Sequence, residues 1–313
     1  MSVYSAVTRI QLDQFFSHYP LGEVLNYEGI LDGIDNTNYF VKTTEGEFVL
    51  TIFESLSADD LPHFVNLLLY LGKTNLPCPS PRLDKQSRPL RSLNDKQAAV
   101  FNWFPGRAVL TPSIEHCHEI GLHLGRLHRY TQSYVFSISS NHDLRWCNTV
   151  FNKIEGHLTA TDRVLINDEL RFQASNYAAD LPKGVIHGDL FRDNALFADG
   201  QLSGLLDFYS AGTGILLLDI AITANDWCHD NGVCNLEKLT ALLSAYEMVR
   251  PLEQSEKQNW PVQLRAAALR FWLSRLEHQL YPRTGAITQQ KDPLIFRQLL
   301  SQYRQQYKFQ LNG

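Results

Sequence analysis

The sequence predicts an α+β fold with two lobes, an N-terminal antiparallel sheet with one helix and a mainly helical C-terminal lobe. Strand-like runs separated by turn residues continue to residue 101, and a Pro-Gly pair follows at 105–106. From residue 111 onward, apolar residues recur at helical spacing. We therefore expect an N-terminal lobe over 1–105, with a hinge near 102–106, and a C-terminal lobe over 106–313.

The elements of the N-terminal lobe follow from local signals. Thr8 and Gln11 form a capping-box pattern that starts an amphipathic helix. Strands are predicted at 27–31, 38–43, 47–53, 90–93 and 98–101, and Asn94-Asp95 forms the turn of the last hairpin. Between the third and fourth strands, Ser57 is the predicted cap of a helix that ends near Gly72.

The C-terminal lobe is predicted to begin with a helix capped at Thr111, with Pro112 in the first helical position. Further helices are predicted over 144–157, 162–179, 215–222, 235–249, 254–280 and 292–307. Asp219 interrupts the nearly all-apolar run 215–222, and a buried carboxylate is costly unless it is hydrogen-bonded. We expect Asp219 to hold the preceding polar loop in place.

Composition excludes several classes of function. The 313 residues are 44% hydrophobic and carry a net charge of −5, which suits one large or two medium globular domains. The sequence shows no concentrated basic patch of the kind that binds nucleic acid or an anionic membrane. It also shows no signal-like run and no run long enough to span a membrane, so we expect a cytoplasmic protein. The five cysteines lack a C-x-x-C pair and are expected to be reduced, and His116-Cys-His118 has the wrong helical spacing for zinc.

The stretch 185–194, VIHGDLFRDN, carries the most chemistry. A short buried run delivers His187, Gly188 and Asp189, a loop leads to Asn194, and a turn at 198–200 brings Asp207 back beside that loop. Phosphoryl transfer needs a carboxylate that orients the acceptor hydroxyl and takes its proton, and hard oxygen ligands for the magnesium of the nucleotide. Asp189, Asn194 and Asp207 fit these roles in that order, and a hairpin with two surface aspartates is the plain alternative.

The spacing His-x-Asp-x4-Asn with a later Asp-Phe resembles the catalytic loop and metal-binding segment of the protein-kinase-like phosphotransferases. The glycine after the histidine resembles the aminoglycoside phosphotransferase branch. Stretches at 27–39, 49–54, 76–79, 206–209 and 268–275 are similar to the type II homoserine kinases of that branch, and the match runs over nearly the whole chain. The resemblance implies a two-lobed protein-kinase-like (aminoglycoside phosphotransferase) fold, with ATP, Mg²⁺ and an active site in the cleft between the lobes. It also implies transfer of the γ-phosphoryl group to the side-chain hydroxyl of L-homoserine, a step toward threonine.

The resemblance also implies roles for individual residues. Asp189 would act as the base, His187 would hold its loop, and Asn194 and Asp207 would bind the metal. Thr51 stands where kinase-like folds usually carry a phosphate-binding lysine, and it supplies no charge. The expected ATP-binding residues are Gly33, Asn36, Asn38, Thr51, Asn102 and Phe104. The candidates for substrate binding are Arg192, Tyr209, Arg270 and Arg275, and a surface ion pair is an open alternative for each arginine.

Other functions stay open at this stage. The acceptor could be another small alcohol, such as an aminoglycoside, choline or a sugar, and the absent lysine at Thr51 also permits a non-catalytic nucleotide-binding pseudokinase. A protein acceptor is disfavoured, because only eleven residues separate Asp207 from Asp219, too few for a long peptide-docking segment. An aminoglycoside is a polycation that needs an acidic surface, whereas homoserine needs one cation and one anion. The sequence does not predict the oligomeric state.

Overall fold

The computed structural model describes residues 5–30, 36–54, 56–57, 59–134, 143–282 and 291–305. Within these residues the chain divides into two compact units, and the division falls between Pro105 and Gly106.

The first unit is built on the predicted five-stranded antiparallel sheet. Its strands are β1 Val24–Ile30, β2 Asn36–Thr43, β3 Gly46–Phe53, β4 Arg91–Leu93 and β5 Lys96–Asn102. Their order in the sheet is β1-β2-β3-β5-β4. Asn94 and Asp95 both adopt positive φ, 52° and 62°, as the tight turn of a two-residue hairpin requires. The prediction of a sheet in this unit is confirmed, with bounds that differ by a few residues.

One face of the sheet forms a core with helix α1, Arg9–Phe16. The predicted capping box is present, and the buried face of the helix packs with Leu50 and Ile52 of β3. Helix α2, Asp60–Leu71, begins three residues after the predicted cap Ser57, whose hydroxyl accepts a hydrogen bond from the Asp60 backbone N–H at 3.0 Å.

The second unit is mainly helical, as predicted. Its helices are α3 Ile114–Tyr130, α4 Leu144–Ile154, α5 Ala160–Ser175, α6 Leu216–Trp227, α7 Leu236–Val249, α8 Gln254–Leu280 and α9 Leu294–Gln305. Short strands join three small sheets: β6 Arg107–Ala108 with β8 Ala195–Ala198 and β9 Gln201–Leu205, β7 Lys183–Ile186 with β10 Gly212–Ile215, and β11 His229–Asp230 with β12 Val233–Cys234. No helix among the described residues is long and apolar enough to span a membrane.

The predicted start of α3 is wrong. Ser113, and not Thr111, caps the helix: its hydroxyl accepts from the His116 N–H at 3.3 Å, and the Ser113 N–H donates to His116 Nδ1 at 3.0 Å. A histidine nitrogen therefore takes the acceptor role that Glu or Gln usually has in a capping box. The predicted end of α5 is also wrong, because that helix stops at Ser175 and not at residue 179.

Candidate active site

The hairpin of β8 and β9 brings the predicted metal-binding side chains to one place. Asn194 immediately precedes β8, and a turn with positive φ at Asp199 and Gly200 returns the chain along β9. The Leu206 N–H donates to the Asn194 carbonyl oxygen at 2.8 Å, so that Asp207 follows directly beside Asn194. The predicted hairpin is confirmed.

Asn194 also contacts Asp189, the predicted proton acceptor. Its Nδ2 donates to the backbone oxygen of Asp189 at 2.8 Å and to a carboxylate oxygen of the same residue at 3.3 Å. Because the NH₂ group of the amide is used in this way, its oxygen points elsewhere. The Asn194 oxygen and the exposed Asp207 carboxylate are both hard oxygen donors, the type that Mg²⁺ prefers.

His187 connects the segment of Asp189 to the segment of Asp207. Its Nε2 lies 2.8 Å from the Leu206 carbonyl oxygen, which can only accept, so Nε2 carries the hydrogen. Its Nδ1 accepts from the Asp189 N–H at 3.3 Å, and its ring lies 4.6 Å from that of Phe208. Burial, the largest influence, lowers the pKa of this fully buried imidazole and keeps it neutral. His187 therefore positions the loop of residues 187–194, here called the catalytic loop.

Asp219 anchors the catalytic loop from helix α6. Its carboxylate accepts from the backbone N–H groups of His187 at 2.7 Å and Gly188 at 2.8 Å, and it contacts His128 Nε2 at 3.0 Å. Burial acts to raise the pKa of Asp219, but the hydrogen bond from His128 and the one from the Gly188 N–H help to outweigh it, and the pKa is lowered. The prediction that Asp219 holds the loop is confirmed.

Gly188 is required at the point where the loop meets Asp219. Its φ is 76°, and a Cβ placed on it would lie 2.7 Å from the carbonyl oxygen of Ser210. A side chain at this position would therefore strain the backbone and force the two segments apart. This contact explains why a glycine follows the histidine.

The anchor extends well beyond the catalytic loop. His128 Nδ1 lies 2.8 Å from the Tyr246 hydroxyl, which accepts from Arg250 at 3.1 Å, and Arg250 binds Glu256 through two bonds of 3.0 Å. Because the Asp219 carboxylate can only accept, His128 Nε2 carries the hydrogen, and Nδ1 of the ring then accepts the hydrogen of the Tyr246 hydroxyl. Sequence reasoning missed these four residues, which come from four different segments of helix and loop.

Asp189 has a strongly perturbed acidity. Burial first, and the negative charge of Asp207 second, raise its pKa to about 7, while Lys291 and Arg270 act in the opposite direction. Arg270 is only 5% exposed, and its charge acts on Asp189. A carboxylate with a pKa near neutrality is suited to accept a proton in a reaction near pH 7.

The other candidates for substrate binding have partners of their own. Arg192 forms an ion pair with Asp226, with Nε 3.1 Å from a carboxylate oxygen. Arg275 donates from Nη1 to the backbone oxygen of Asp292 at 2.7 Å. Tyr209 lies half-buried in the 3-10 turn that follows Asp207. For Arg192 the ion pair that the sequence left open is present, and a contact of any of these residues with substrate stays a prediction.

Three of the predicted ATP-binding residues share one face of the first unit's sheet. Asn36 and Asn38 lie two residues apart on β2, and Asn38 pairs with Thr51 across the strands, so all three face away from α1. The Thr51 hydroxyl donates to the Asn38 side-chain oxygen at 2.7 Å, and the Asn36 side-chain oxygen accepts from the Glu54 N–H at 3.0 Å. Thr51 therefore commits its one hydrogen to a neighbour within the sheet.

The remaining predicted ATP-binding residues lie at the end of β5 and beyond. The side-chain oxygen of Asn102 accepts from the Ser80 N–H at 2.6 Å, which ties the strand end to the segment after α2. Phe104 is half-buried. Gly33 lies outside the described residues. Their contact with a nucleotide stays a prediction.

Comparisons with known proteins agree with this geometry. The model of the family described as "Phosphotransferase enzyme family" matches residues 26–252. The chain is 41% identical over 302 residues to a homoserine kinase from Methylobacillus flagellatus, covering 96% of this chain and 94% of that protein. It is 40% identical over 314 residues to a homoserine kinase from Burkholderia pseudomallei, covering 96% and 95% of the two chains.

Solved structures with low sequence identity show the same fold. An amicoumacin kinase in complex with AMP-PNP, Ca²⁺ and Ami has a TM-score of 0.69 at 16% identity, covering 96% of this chain and 92% of that one. An aminoglycoside phosphotransferase from Alicyclobacillus acidocaldarius has a TM-score of 0.65 at 15% identity, covering 96% and 94%. The predicted aminoglycoside phosphotransferase fold is thus confirmed, and the chain belongs to the phosphotransferase enzyme family, in the branch that contains these homoserine kinases.

Proposed function

We propose that this protein transfers the γ-phosphoryl group of ATP to the side-chain hydroxyl of L-homoserine. A bond forms between the hydroxyl oxygen and the γ-phosphorus, the bond from that phosphorus to the β,γ-bridging oxygen breaks, and the hydroxyl proton passes to Asp189. The products are O-phosphohomoserine, a precursor on the route to threonine, and ADP. The observation that carries the proposal is the contact of Asp189 with Asn194 beside Asp207, in a chain about 40% identical to homoserine kinases along nearly its whole length.

Asp189 suits the proposed role for two reasons. Its raised pKa keeps the carboxylate close to balance between the protonated and ionised forms near neutral pH. Its backbone and side chain are held by His187 and Asn194, which fixes the oxygen that meets the acceptor hydroxyl. Phosphoryl transfer depends chiefly on positioning and electrostatic stabilisation, and this loop supplies the positioning.

The metal that fits this site is Mg²⁺, held by the Asn194 side-chain oxygen and the Asp207 carboxylate. Two protein oxygens are an ordinary set for Mg²⁺, which usually keeps several waters and binds the phosphates of the nucleotide. When bound, the ion supplies positive charge to the phosphate oxygens. The two hydrogen bonds to Asp189 fix the orientation of the Asn194 amide, and Asp207 supplies the negatively charged ligand for the ion.

ATP is proposed to bind through the first unit, residues 1–105, and the acceptor through the second, residues 106–313. Asn36, Asn38 and Thr51 present polar groups on one face of the sheet, and they are proposed to meet the phosphates together with Gly33. Asn102 and Phe104 are proposed to meet the adenine. Because Thr51 lacks charge, backbone N–H groups and the metal would carry most of the phosphate binding. The proposed location of the reaction is the cytoplasm.

The test is turnover with a panel of acceptors. Purified protein is mixed with Mg²⁺, ATP and one acceptor: L-homoserine, choline, a hexose or kanamycin. The rate of ADP release is measured, and phosphorus NMR identifies the phosphorylated product. We expect phosphorylation of L-homoserine with little or none of the others, and no activity in an Asp189→Asn preparation purified in parallel. A preference for kanamycin would overturn the proposal, and binding of ATP with no acceptor phosphorylated would favour a pseudokinase.

A further inference from the structure

Arg270, on helix α8, is a buried cation without a counter-charge bonded to it. Its side chain is only 5% exposed, yet among the residues that the structure describes no ion pair or hydrogen bond reaches its guanidinium group. Two other arginines of the same unit show the usual arrangement: Arg265 lies 2.6 Å from Glu169, and Arg250 lies 3.0 Å from Glu256. Arg270 is therefore an exception that needs an explanation.

A buried guanidinium without a bonded partner is costly for a folded protein. Burial acts to lower the pKa of Arg270, and the charge of Asp189 is the largest influence in the opposite direction. An arginine nevertheless stays protonated in proteins, so the cost is not relieved by loss of a proton. An anionic ligand that pairs with the guanidinium would offset this cost.

The position of Arg270 indicates which ligand that is. The next residue, Phe271, packs on Phe191 of the catalytic loop, with ring centroids 4.5 Å apart. The carboxylates whose charges act on Arg270 are those of Asp189 and Asp219, the proton acceptor and the anchor of its loop. The guanidinium therefore lies near enough to Asp189 for the two charges to act on each other.

We propose that Arg270 binds the α-carboxylate of the acceptor amino acid while the acceptor hydroxyl lies at Asp189. This assignment rests on the proposed function, because it requires an acceptor that carries both groups. Four bonds separate the hydroxyl oxygen of homoserine from its carboxylate carbon, which gives a span of roughly 5 Å when extended. The planar guanidinium matches a carboxylate through two parallel hydrogen bonds, so that binding supplies the pair that the free protein lacks.

The proposal distinguishes this site from a structural one by its effect on stability. If Arg270 served the fold, Arg270→Met would lower the unfolding temperature of the free protein, as Arg265→Met should by breaking the pair with Glu169. If the Arg270 guanidinium is paired only when a ligand is bound, Arg270→Met removes an unpaired charge from the free protein and fills the same space with apolar atoms. We then expect an unchanged or raised unfolding temperature for Arg270→Met and a lowered one for Arg265→Met.

The decisive measurement compares L-homoserine with 3-aminopropanol, which has the same hydroxyl and amine but no carboxylate. We expect Arg270→Met to lower kcat/KM for L-homoserine by on the order of 10²–10³, mainly through KM, because one partner of a buried charge pair is lost. The value for 3-aminopropanol and the KM for ATP should hardly change. The ratio of the two acceptors cancels any effect of the lost charge on Asp189, and Lys257→Met on the same helix controls for a general loss of charge.

Four results would count against the proposal, and they can be told apart. An unchanged acceptor ratio in Arg270→Met would refute the assignment while leaving the proposed function intact. An equal fall for both acceptors with a raised KM for ATP would assign Arg270 to the phosphates instead. No phosphorylation of L-homoserine by the parent protein would refute the proposed function itself, and the assignment with it. If 3-aminopropanol turns over too slowly, calorimetric titration of L-homoserine into both proteins replaces it, and equal affinities would overturn the assignment.

Discussion

Replacement of Asp219 by asparagine should disable the site without touching any group that meets the substrate. The carboxylate receives three donors, the N–H groups of His187 and Gly188 and the Nε2 of His128. Asparagine offers one acceptor oxygen and one NH₂ group. At least one of the three donors would then face another donor in a fully buried site.

The expected loss can be worked out from these contacts. Breaking one partner of a buried charged network costs about 3–5 kcal/mol, and a hydrogen bond to a charged group is worth about 1.5–3 kcal/mol. For a unit of this size, 1 kcal/mol lowers the unfolding temperature by roughly 2–4 °C, so the fall should be roughly 6–20 °C. Because the backbone of the catalytic loop loses its anchor, kcat should also fall by on the order of 10², the usual effect of a small misplacement of a reacting group.

The assays are thermal unfolding and urea unfolding, both followed by tryptophan fluorescence, with kcat measured at a temperature where both proteins remain folded. Thr223→Ala is the matched control, because Thr223 is also buried on α6 but donates only to the backbone oxygen of Asp219, at 2.9 Å. We expect that variant to lose about 1 kcal/mol with little change in kcat. An Asp219→Asn protein as stable and as active as the Thr223→Ala control would refute the anchoring role.

Three further predictions concern the groups that are proposed to meet the reactants. Asp189→Asn should retain the fold but lower kcat by on the order of 10²–10⁴, and activity close to that of the parent would contradict the base role. Asp207→Ala should abolish transfer, whereas Asn194→Ala should leave a remnant that excess Mg²⁺ partly rescues, because an anionic ligand contributes more than a neutral one; equal losses in a Mg²⁺ titration would contradict this order. Burial and Asp207 raise the pKa of Asp189 to about 7 in the folded state. Because the unfolded chain ionises this group already near pH 4, the free energy of unfolding without metal should fall by roughly 2–4 kcal/mol as pH rises from about 4 to about 7. Urea unfolding of the parent and of Asp189→Asn across this range checks the sign, since the parent should lose stability relative to the variant, and a constant difference would contradict it.

Local signals account for most of the elements that the sequence predicted. The hairpin turn at Asn94-Asp95, the capping box at Thr8 and the bounds of α8 each depend on residues close together in the chain. The cap of α3 is equally local, but it uses a histidine where the usual pattern has Glu or Gln, so the pattern did not predict the start of that helix. Chain-local rules therefore predict elements well where the participating side chains are the common ones.

The partners of Asp219 show the limit of such rules. The cost of burying a carboxylate predicts that Asp219 must be bonded, and the catalytic loop was the right partner. The cost does not say which other groups take part, and His128 lies 91 positions away along the chain. Only the packing of α3 against α6 and α7 brings the imidazole between Asp219 and Tyr246.

The same limit applies to the arginines. Residue type and spacing do not rank Arg192, Arg270 and Arg275 as groups for a substrate carboxylate. The structure separates them by their partners, because Arg192 is paired with Asp226 and Arg275 is bonded to the backbone of Asp292. Arg270 is the most buried of the three, and its guanidinium has no such bond among the described residues. Burial and pairing are properties of the folded chain, so they could not be read from residue type or spacing.

Asp219 and Asp189 are both bonded within or to the catalytic loop, but they have opposite acidities. Asp219 has three donors, and they lower its pKa, so it remains a fixed negative charge that holds backbone amides. In the described part of the chain, the Asp189 carboxylate has one long bond from Asn194, at 3.3 Å, while burial and Asp207 raise its pKa. A group that must take up a proton cannot be surrounded by donors that stabilise its charge, and a group that must anchor a loop cannot be without them. In the proposed reaction, the number of donors around each carboxylate, more than its place in the motif, determines which of the two accepts a proton from the substrate.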